Sequence, residues 1–166
     1  MKTLVLIIIF IFLQQAKLPR FVDYPVKDSF KGKPAVIDFK NNRQAWRFRT
    51  VIREGVNKRA NFAGHYTLVY WGCGTSCQRY AIVNLKNGKV YLPAGLLGLA
   101  SYGFIYRINS RLLIIDPIDS TIMNDFDNKI PDWLSTRYYL WDGDKLTKID
   151  SSKSIIDIRE ESNWRY

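Results

Sequence analysis

Apolar residues between positions 43 and 56 recur with the period of an α-helix. An apolar stripe is formed by Ala45, Phe48, Ile52 and Val56. Their spacing of three or four positions gathers them on one side of a helical wheel. Asn41 or Asn42 is a suitable N-cap, and Gly55 lies near the end of the pattern. The sequence therefore predicts one amphipathic helix from about Arg43 to Val56.

Strand-like patterns dominate the rest of the chain. Residues 34–39 predict a short strand, and residues 65–71 and 78–85 are rich in the β-branched and aromatic side chains that favour strands. Strict alternation in residues 65–71 predicts that His65, Thr67, Val69 and Trp71 share one face. Residues 93–103 and 117–131 predict loops.

Three short hairpins are predicted in the second half of the chain. Asn87-Gly88 accepts the positive φ angles of a type I′ turn, so we expect Leu85 opposite Val90. The other two turns are expected at Asn109-Ser110 and at Asp142-Gly143. These hairpins predict an α+β fold that is mainly antiparallel β, with about six to eight strands in a meander. A sandwich, a barrel and a blade-like array all satisfy the pattern.

The first residues have the pattern of a secretory signal peptide. A positive start at Lys2 precedes ten consecutive apolar residues, 4–13, and a small residue follows at Ala16. About 20 apolar residues are needed to span a bilayer, so we expect no stable transmembrane helix in the mature chain. The alternative is a buried N-terminal helix or strand. We predict a signal peptide over 1–16 and a single globular domain over 17–166, a length that buries a sizeable core.

Positive charge is concentrated in the first two thirds of the 166 residues. The whole chain has 25 Lys+Arg against 15 Asp+Glu. Residues 17–60 hold 12 basic and four acidic side chains, and residues 61–110 hold four basic side chains and no acidic one. A surface of this kind attracts an anionic partner. An anionic envelope glycan or an acidic protein suits an exported chain better than nucleic acid, and we expect no nucleic-acid partner. The alternative is that the charges only keep the protein soluble.

Basic and aromatic side chains gather along one margin of the predicted helix. Trp46, Arg49 and Arg53 are neighbours there on a helical wheel. We select these three, together with Trp71 and Arg79, as candidate binding residues. In the alternative, Trp46 packs inward and the arginines extend past it to solvent.

Two cysteines lie four positions apart between two predicted strands. Export would expose Cys73 and Cys77 to oxidising conditions, so we expect a disulfide that fixes the connection. Gly72 and Gly74 supply the backbone freedom that a small ring requires. Three intervening residues do not match a C-x-x-C redox pair, and His65 alone cannot complete a zinc site. A reactive cysteine is the alternative.

His65 is the only histidine and the first candidate for catalysis. Its face carries Trp71, but an extended strand keeps it away from Cys73, the weak candidate nucleophile. Asp116 or Asp119 could orient the imidazole from a neighbouring strand. The simpler alternative is a structural histidine bonded to a backbone carbonyl.

Neither the acidic segment 116–128 nor any common motif of the sequence indicates a metal or a cofactor. The segment lacks the central glycine and distal glutamate of a calcium-binding EF-hand loop. Phosphate-binding, dinucleotide-binding, nucleophile-elbow and zinc-protease motifs are absent from the sequence. We expect neither a metal nor a cofactor.

One block resembles a known set of proteins. Residues 61–66 (NFAGHY), 71–77 (WGCGTSC) and 81–83 (AIV) are similar to a block that recurs in small exported bacterial proteins of uncharacterised function. The resemblance covers roughly 25 residues. It implies export and a cysteine loop, and it implies no activity.

Three functions remain open from the sequence, the third of which is a purely structural component of the cell envelope. The first is an exported binding module of the cell envelope, of which an enzyme or toxin inhibitor is one form, that docks an anionic or glycan-bearing target. The second is an envelope hydrolase that uses His65 with Cys73 or an acidic residue. Because no complete catalytic set is visible, the sequence favours the binding module.

Overall fold

Helices are few and short in the computed structural model, which describes residues 18–28, 30–57, 59–152 and 155–156. The predicted signal peptide over 1–16 lies outside the described residues. The helices are α1 (Arg43–Arg47), α2 (Arg49–Val56) and α3 (Ser120–Asp125). The strands are β1 (Tyr66–Gly74), β2 (Cys77–Asn84), β3 (Val90–Tyr91), β4 (Leu99–Ala100), β5 (Phe104–Tyr106), β6 (Leu112–Ile115), β7 (Thr136–Trp141) and β8 (Leu146–Ser152). Across these described residues, every helix is too short or too polar to cross a bilayer.

The strands form two antiparallel sheets of four strands each. Sheet one has the order β1-β2-β3, and β4 also pairs with β2. Sheet two is the meander β5-β6-β7-β8. The predicted α+β fold, mainly antiparallel β with a meander of strands, is confirmed.

The two sheets pack face to face. This shared core contains Tyr66, Leu68, Tyr80 and Ile82 from sheet one and Leu113, Ile115, Tyr139 and Trp141 from sheet two. All of these side chains are buried, and their position follows from the alternation of inward and outward residues along each strand. The arrangement is the sandwich among the three predicted alternatives.

The outer face of sheet one is covered by α1 and α2. Val69 of β1 packs against Gly55 of α2. A Cβ added at Gly55 would lie 2.4 Å from the Cγ2 atom of Val69. Ala81 and Val83 pack in the same cluster as Ile52. The apolar stripe of the helical pattern therefore faces the sheet, as its period indicates.

The predicted single helix over 43–56 is broken at Phe48. The N-cap is confirmed, because the Asn42 side chain accepts a hydrogen bond from the backbone N–H of Ala45 at 2.9 Å. At Phe48 the backbone leaves the helical region, with φ −108° and ψ 17°. Its ring packs on Trp71 with centroids 4.8 Å apart, a contact that offsets the interrupted helical hydrogen bonding.

The Asn-Gly turn is longer than predicted. The backbone N–H of Asn84 donates to the carbonyl of Lys89, and Val83 pairs with Val90. The predicted pairing of Leu85 with Val90 is wrong, because Leu85 lies within the turn; its N–H bonds to the carbonyl of His65 on the β1 side, and its side chain is buried. The register between β2 and β3 differs from the prediction by two residues, so the same side chains still face inward.

Three further predictions need correction. Residues 34–39 form no strand but lie along the β2–β3 turn, with Ala35 N–H bonded to Leu85 O and Asp38 N–H to Gly88 O. Residues 93–103 contain a 3₁₀ turn and β4. Residues 117–131 contain α3, whose N-cap Asp119 accepts from the N–H of Ile122 at 2.9 Å.

The other two hairpins form, one at its predicted turn and the other with its turn shifted by one residue. Phe104 pairs with Ile115, so the first turn is centred on Asn109-Ser110. Trp141 pairs with Leu146, which places the second turn one residue beyond the centre of Asp142-Gly143.

Candidate functional site

Arginines stack on aromatic rings where α1 and α2 meet the distal part of the β1–β2 hairpin. We call this surface the arginine–aromatic face, and it consists of Phe39, Trp46, Phe48, Arg49, Arg53, Trp71 and Arg79. All five binding residues selected from the sequence belong to it. They fall into two groups, one on the helices and one around the hairpin.

The first group alternates arginine and aromatic side chains. The guanidinium carbon of Arg49 lies 4.6 Å from the centroid of the Trp46 ring. That of Arg53 lies 5.2 Å from the ring of Phe39, and Phe39 meets Trp46 edge-on at 6.2 Å. The helical-wheel prediction that Trp46, Arg49 and Arg53 are neighbours is consistent with this geometry.

The second group is built on the hairpin ladder. Trp71 and Arg79 are direct partners across β1 and β2. Phe48 joins them to the helices, because its ring lies 4.8 Å from Trp71 and 5.6 Å from the guanidinium carbon of Arg79. The second group therefore reaches the helices through Phe48, the residue between α1 and α2, which follows Trp46 of the first group by two positions.

The arginines of this face have no acidic partner among the described residues. Arg49, Arg53 and Arg79 form none of the ion pairs in the described chain. Residues 43–56 contain four arginines and one glutamate. Nη1 of Arg49 donates to the backbone carbonyl of Trp46 at 3.3 Å, and a guanidinium has further N–H groups that can bind an anion. The face therefore carries a net positive charge.

Burial differs between the two tryptophans. Trp46 is 50% exposed, so it does not pack inward as the alternative reading proposed. Trp71 is half-buried, and its Nε1 is buried without a hydrogen-bond partner among the described residues. A ligand can therefore reach the ring of Trp46, whereas Trp71 positions Phe48 and the end of the hairpin.

A disulfide closes the tip of the same hairpin. Cys73 and Cys77 are bonded, with their Cα atoms 5.1 Å apart, which confirms the predicted pair. The ladder has an irregularity between Gly72 and Gly74, and residues 72–76 are exposed. Because Trp71 lies two residues before Cys73 and Arg79 two residues after Cys77, the disulfide restrains the part of the hairpin that carries them.

His65 is held by a residue that sequence reasoning did not select. Its Nδ1 lies 2.6 Å from Oδ2 of Asp28, and Nζ of Lys86 lies 2.6 Å from the same oxygen. The hydrogen bond from Lys86, followed by that from His65, lowers the pKa of the Asp28 carboxyl below its ordinary value. The backbone-carbonyl alternative for the His65 ring does not match this contact.

The two aspartates that were expected to orient His65 have other partners. Asp116 pairs with Arg137, and Asp119 caps α3. Cys73, the weak candidate nucleophile, has its sulfur in the disulfide. Within the described part of the chain, no three His, Cys, Asp or Glu side chains are grouped to hold a metal ion.

Sequence reasoning missed Phe39, Phe48 and Asp28. Phe48 was assigned only to the apolar stripe, and its second role depends on a strand more than 20 residues away. Asp28 lies 37 positions from His65, and no local pattern marks it. No family model, no curated protein and no solved structure matches this chain. The resemblance to small exported bacterial proteins stays a prediction.

Proposed function

We propose that this protein is an exported binding module of the cell envelope that docks an anionic or glycan-bearing target on the arginine–aromatic face. One observation carries the proposal: three arginines each stack on an aromatic ring and have no carboxylate partner among the described residues. An inhibitor of an enzyme or toxin is one form that such a module takes.

Stacking prepares these arginines for binding. A free arginine side chain loses up to about 2 kcal/mol of rotamer entropy when a ligand fixes it. The contacts of Arg49 with Trp46 and of Arg53 with Phe39 restrict the side chains before a ligand arrives. The remaining cost of ordering them is therefore smaller, and more of the energy of each N–H···carboxylate bond contributes to affinity.

The disulfide supports the part of the proposal that places the protein outside the cytosol. Disulfides persist mainly in oxidising environments outside the cytosol. Both cysteines of the chain are in the bond, so neither is held as a free thiol. This agrees with the predicted signal peptide and with an envelope target.

A pull-down with solubilised cell-envelope fractions tests the proposal. The bait is the mature protein, compared with the double variant Arg49→Gln/Arg53→Gln and with Arg111→Gln, which changes an exposed arginine immediately before β6. We expect the wild type and Arg111→Gln to retain a target that the double variant loses. Retention should also fall as salt is raised, because screening weakens charge pairing between exposed groups. Equal retention by all three proteins, or retention indifferent to salt, would contradict the proposal.

A hydrolase remains a second candidate, and the contact between His65 and Asp28 favours it. With Asp28 ionised, Nδ1–H of His65 donates to it and the other ring nitrogen, Nε2, has no partner among the described residues. This is the arrangement of a histidine that acts as a general base. The test is hydrolysis of chromogenic esters and glycosides by wild type and His65→Ala. Loss of an activity in a variant that folds normally would support the hydrolase, and equal rates would exclude this role of His65.

A further inference from the structure

We infer that the target of the arginine–aromatic face is an acidic polysaccharide whose sugar rings carry carboxylates, an inference that rests on the proposed binding function. Two properties of the face lead to this class of ligand. An exposed aromatic ring lies within one side-chain contact of guanidinium groups that have no acidic partner among the described residues. The exposed side chains that surround them on the helices are polar.

The first property matches the chemistry of a uronic acid. Trp46 is 50% exposed, and the guanidinium of Arg49 stacks on its ring at 4.6 Å. In a hexuronate the carboxylate is bonded directly to the sugar ring. One sugar can therefore cover the exposed surface of Trp46 while its carboxylate accepts hydrogen bonds from the N–H groups of Arg49 that the bond from Nη1 to the Trp46 carbonyl leaves available.

A second arginine follows at the spacing of one helical turn. Arg49 and Arg53 are four residues apart on α2, which corresponds to a rise of about 6 Å. Arg53 stacks on Phe39, and Phe39 meets Trp46 edge-on. The cation–aromatic unit is thus repeated along the helix. A polymer that repeats its carboxylates can engage both units at once, so its affinity exceeds that of a single sugar.

The second property distinguishes this face from the centre of a protein–protein interface. Tryptophan and arginine are common in such interfaces too, but they lie there in a dry centre from which other polar and charged side chains are depleted. Around Trp46 the exposed side chains of α1 and α2 are Arg43, Gln44, Arg47, Thr50, Arg53 and Glu54. A surface of this composition stays hydrated when it binds, which suits a hydrated polyanion.

Three polymers distinguish the possible targets in isothermal titration calorimetry at low salt. The first is polygalacturonate, and the second is the same polymer with its carboxylates methyl-esterified, which keeps the sugar rings and removes the charge. The third is poly-L-glutamate at the same carboxylate concentration, which keeps the charge and removes the rings. We expect the protein to bind polygalacturonate. Its affinity for each of the other two polymers should be at least about fivefold weaker.

Matched variants separate the ring contact from the charge contact. Trp46→Ala should weaken polygalacturonate binding by about fivefold or more and leave any poly-L-glutamate binding unchanged. Arg49→Gln/Arg53→Gln should weaken binding to both charged polymers. Trp133→Ala is the control, because Trp133 is also exposed, at 65%, but lies outside the face. It should bind like the wild type.

The outcomes separate failure of the inference from failure of the proposed function. Equal binding of poly-L-glutamate and polygalacturonate, with no effect of Trp46→Ala, would overturn the polysaccharide and leave an anion-binding module directed at acidic protein. Equal binding of the methyl-esterified polymer would overturn the role of carboxylates. If the polymers do not bind and the envelope pull-down is also empty, both proposals are wrong.

Discussion

Arg137 donates a hydrogen bond from its guanidinium to the carboxylate of Asp116 at 2.6 Å, and both side chains are largely buried, with 19% and 8% exposed. Arg137 also donates to the carbonyl of Leu99 in β4. The second oxygen of Asp116 accepts from the backbone N–H groups of Ser101 and Tyr102. The ion pair therefore connects β6 and β7 of sheet two to the end of sheet one.

Asp116→Asn should destabilise the protein by about 2–3 kcal/mol, because it removes the charge partner of a largely buried arginine. Asparagine tolerates the left-handed backbone at this position, where φ is +54°, so strain does not add to the loss. Urea unfolding measures the effect. The control is Asp125→Asn, which changes an exposed aspartate of α3. Equal midpoints for both variants would mean that the ion pair contributes little.

Acid should destabilise the fold partly through Asp28. Its pKa in the folded protein is below the ordinary value of 3.8, with the hydrogen bond from Lys86 as the largest cause and His65 contributing in the same direction. The stabilisation is therefore present above the unfolded pKa and is lost as the pH falls through the folded pKa. Asp28→Asn should be less stable than wild type at pH 7 and lose less stability between pH 5 and pH 2. Urea midpoints at several pH values measure this, and parallel curves for the two proteins would contradict it.

Removal of the disulfide should have a modest effect on global stability. Cys73 and Cys77 are four positions apart, and a loop of this size contributes about 2 kcal/mol in the chain-entropy model. We expect Cys73→Ser/Cys77→Ser to fold with a lower urea midpoint. In the wild type, thiol titration under denaturing conditions should find no free thiol before reduction and two afterwards. Two reactive thiols before reduction would show that the bond does not form.

A glycine in α2 gives a prediction whose sign depends on tertiary structure. In an isolated helix, glycine to alanine is stabilising by about 1 kcal/mol. At Gly55 an added Cβ would lie 2.4 Å from the Val69 side chain of β1, so Gly55→Ala should destabilise the protein by about 1–3 kcal/mol. Gly72→Ala is the matched control, because a Cβ there meets no atom within 4 Å. Thermal unfolding should show a clear loss for the first variant and little change for the second.

Local chemistry was sufficient to predict several elements. The apolar period over 43–56 identified the helical segment and the face that it buries. Asn42 could be recognised as the N-cap because a cap bonds to an N–H group within the next turn, here that of Ala45. The hairpin at Asn109-Ser110 formed as predicted because its two strands are adjacent in sequence. The disulfide required only two cysteines separated by three residues in a turn between strands.

Contacts between distant segments decided the rest. Leu85 bonds to His65 across the sheet, and the turn that contains Asn87-Gly88 is longer than the local pattern predicts, which shifts the register of the hairpin by two residues. The helix is interrupted at Phe48, whose ring packs on Trp71, and Asp28 is the partner of His65 across 37 positions. By itself, the sequence determined the elements whose stabilising contacts lie within a few residues of one another. Only the tertiary structure decided which side chains meet across elements, because those contacts depend on packing between segments that local propensity does not relate.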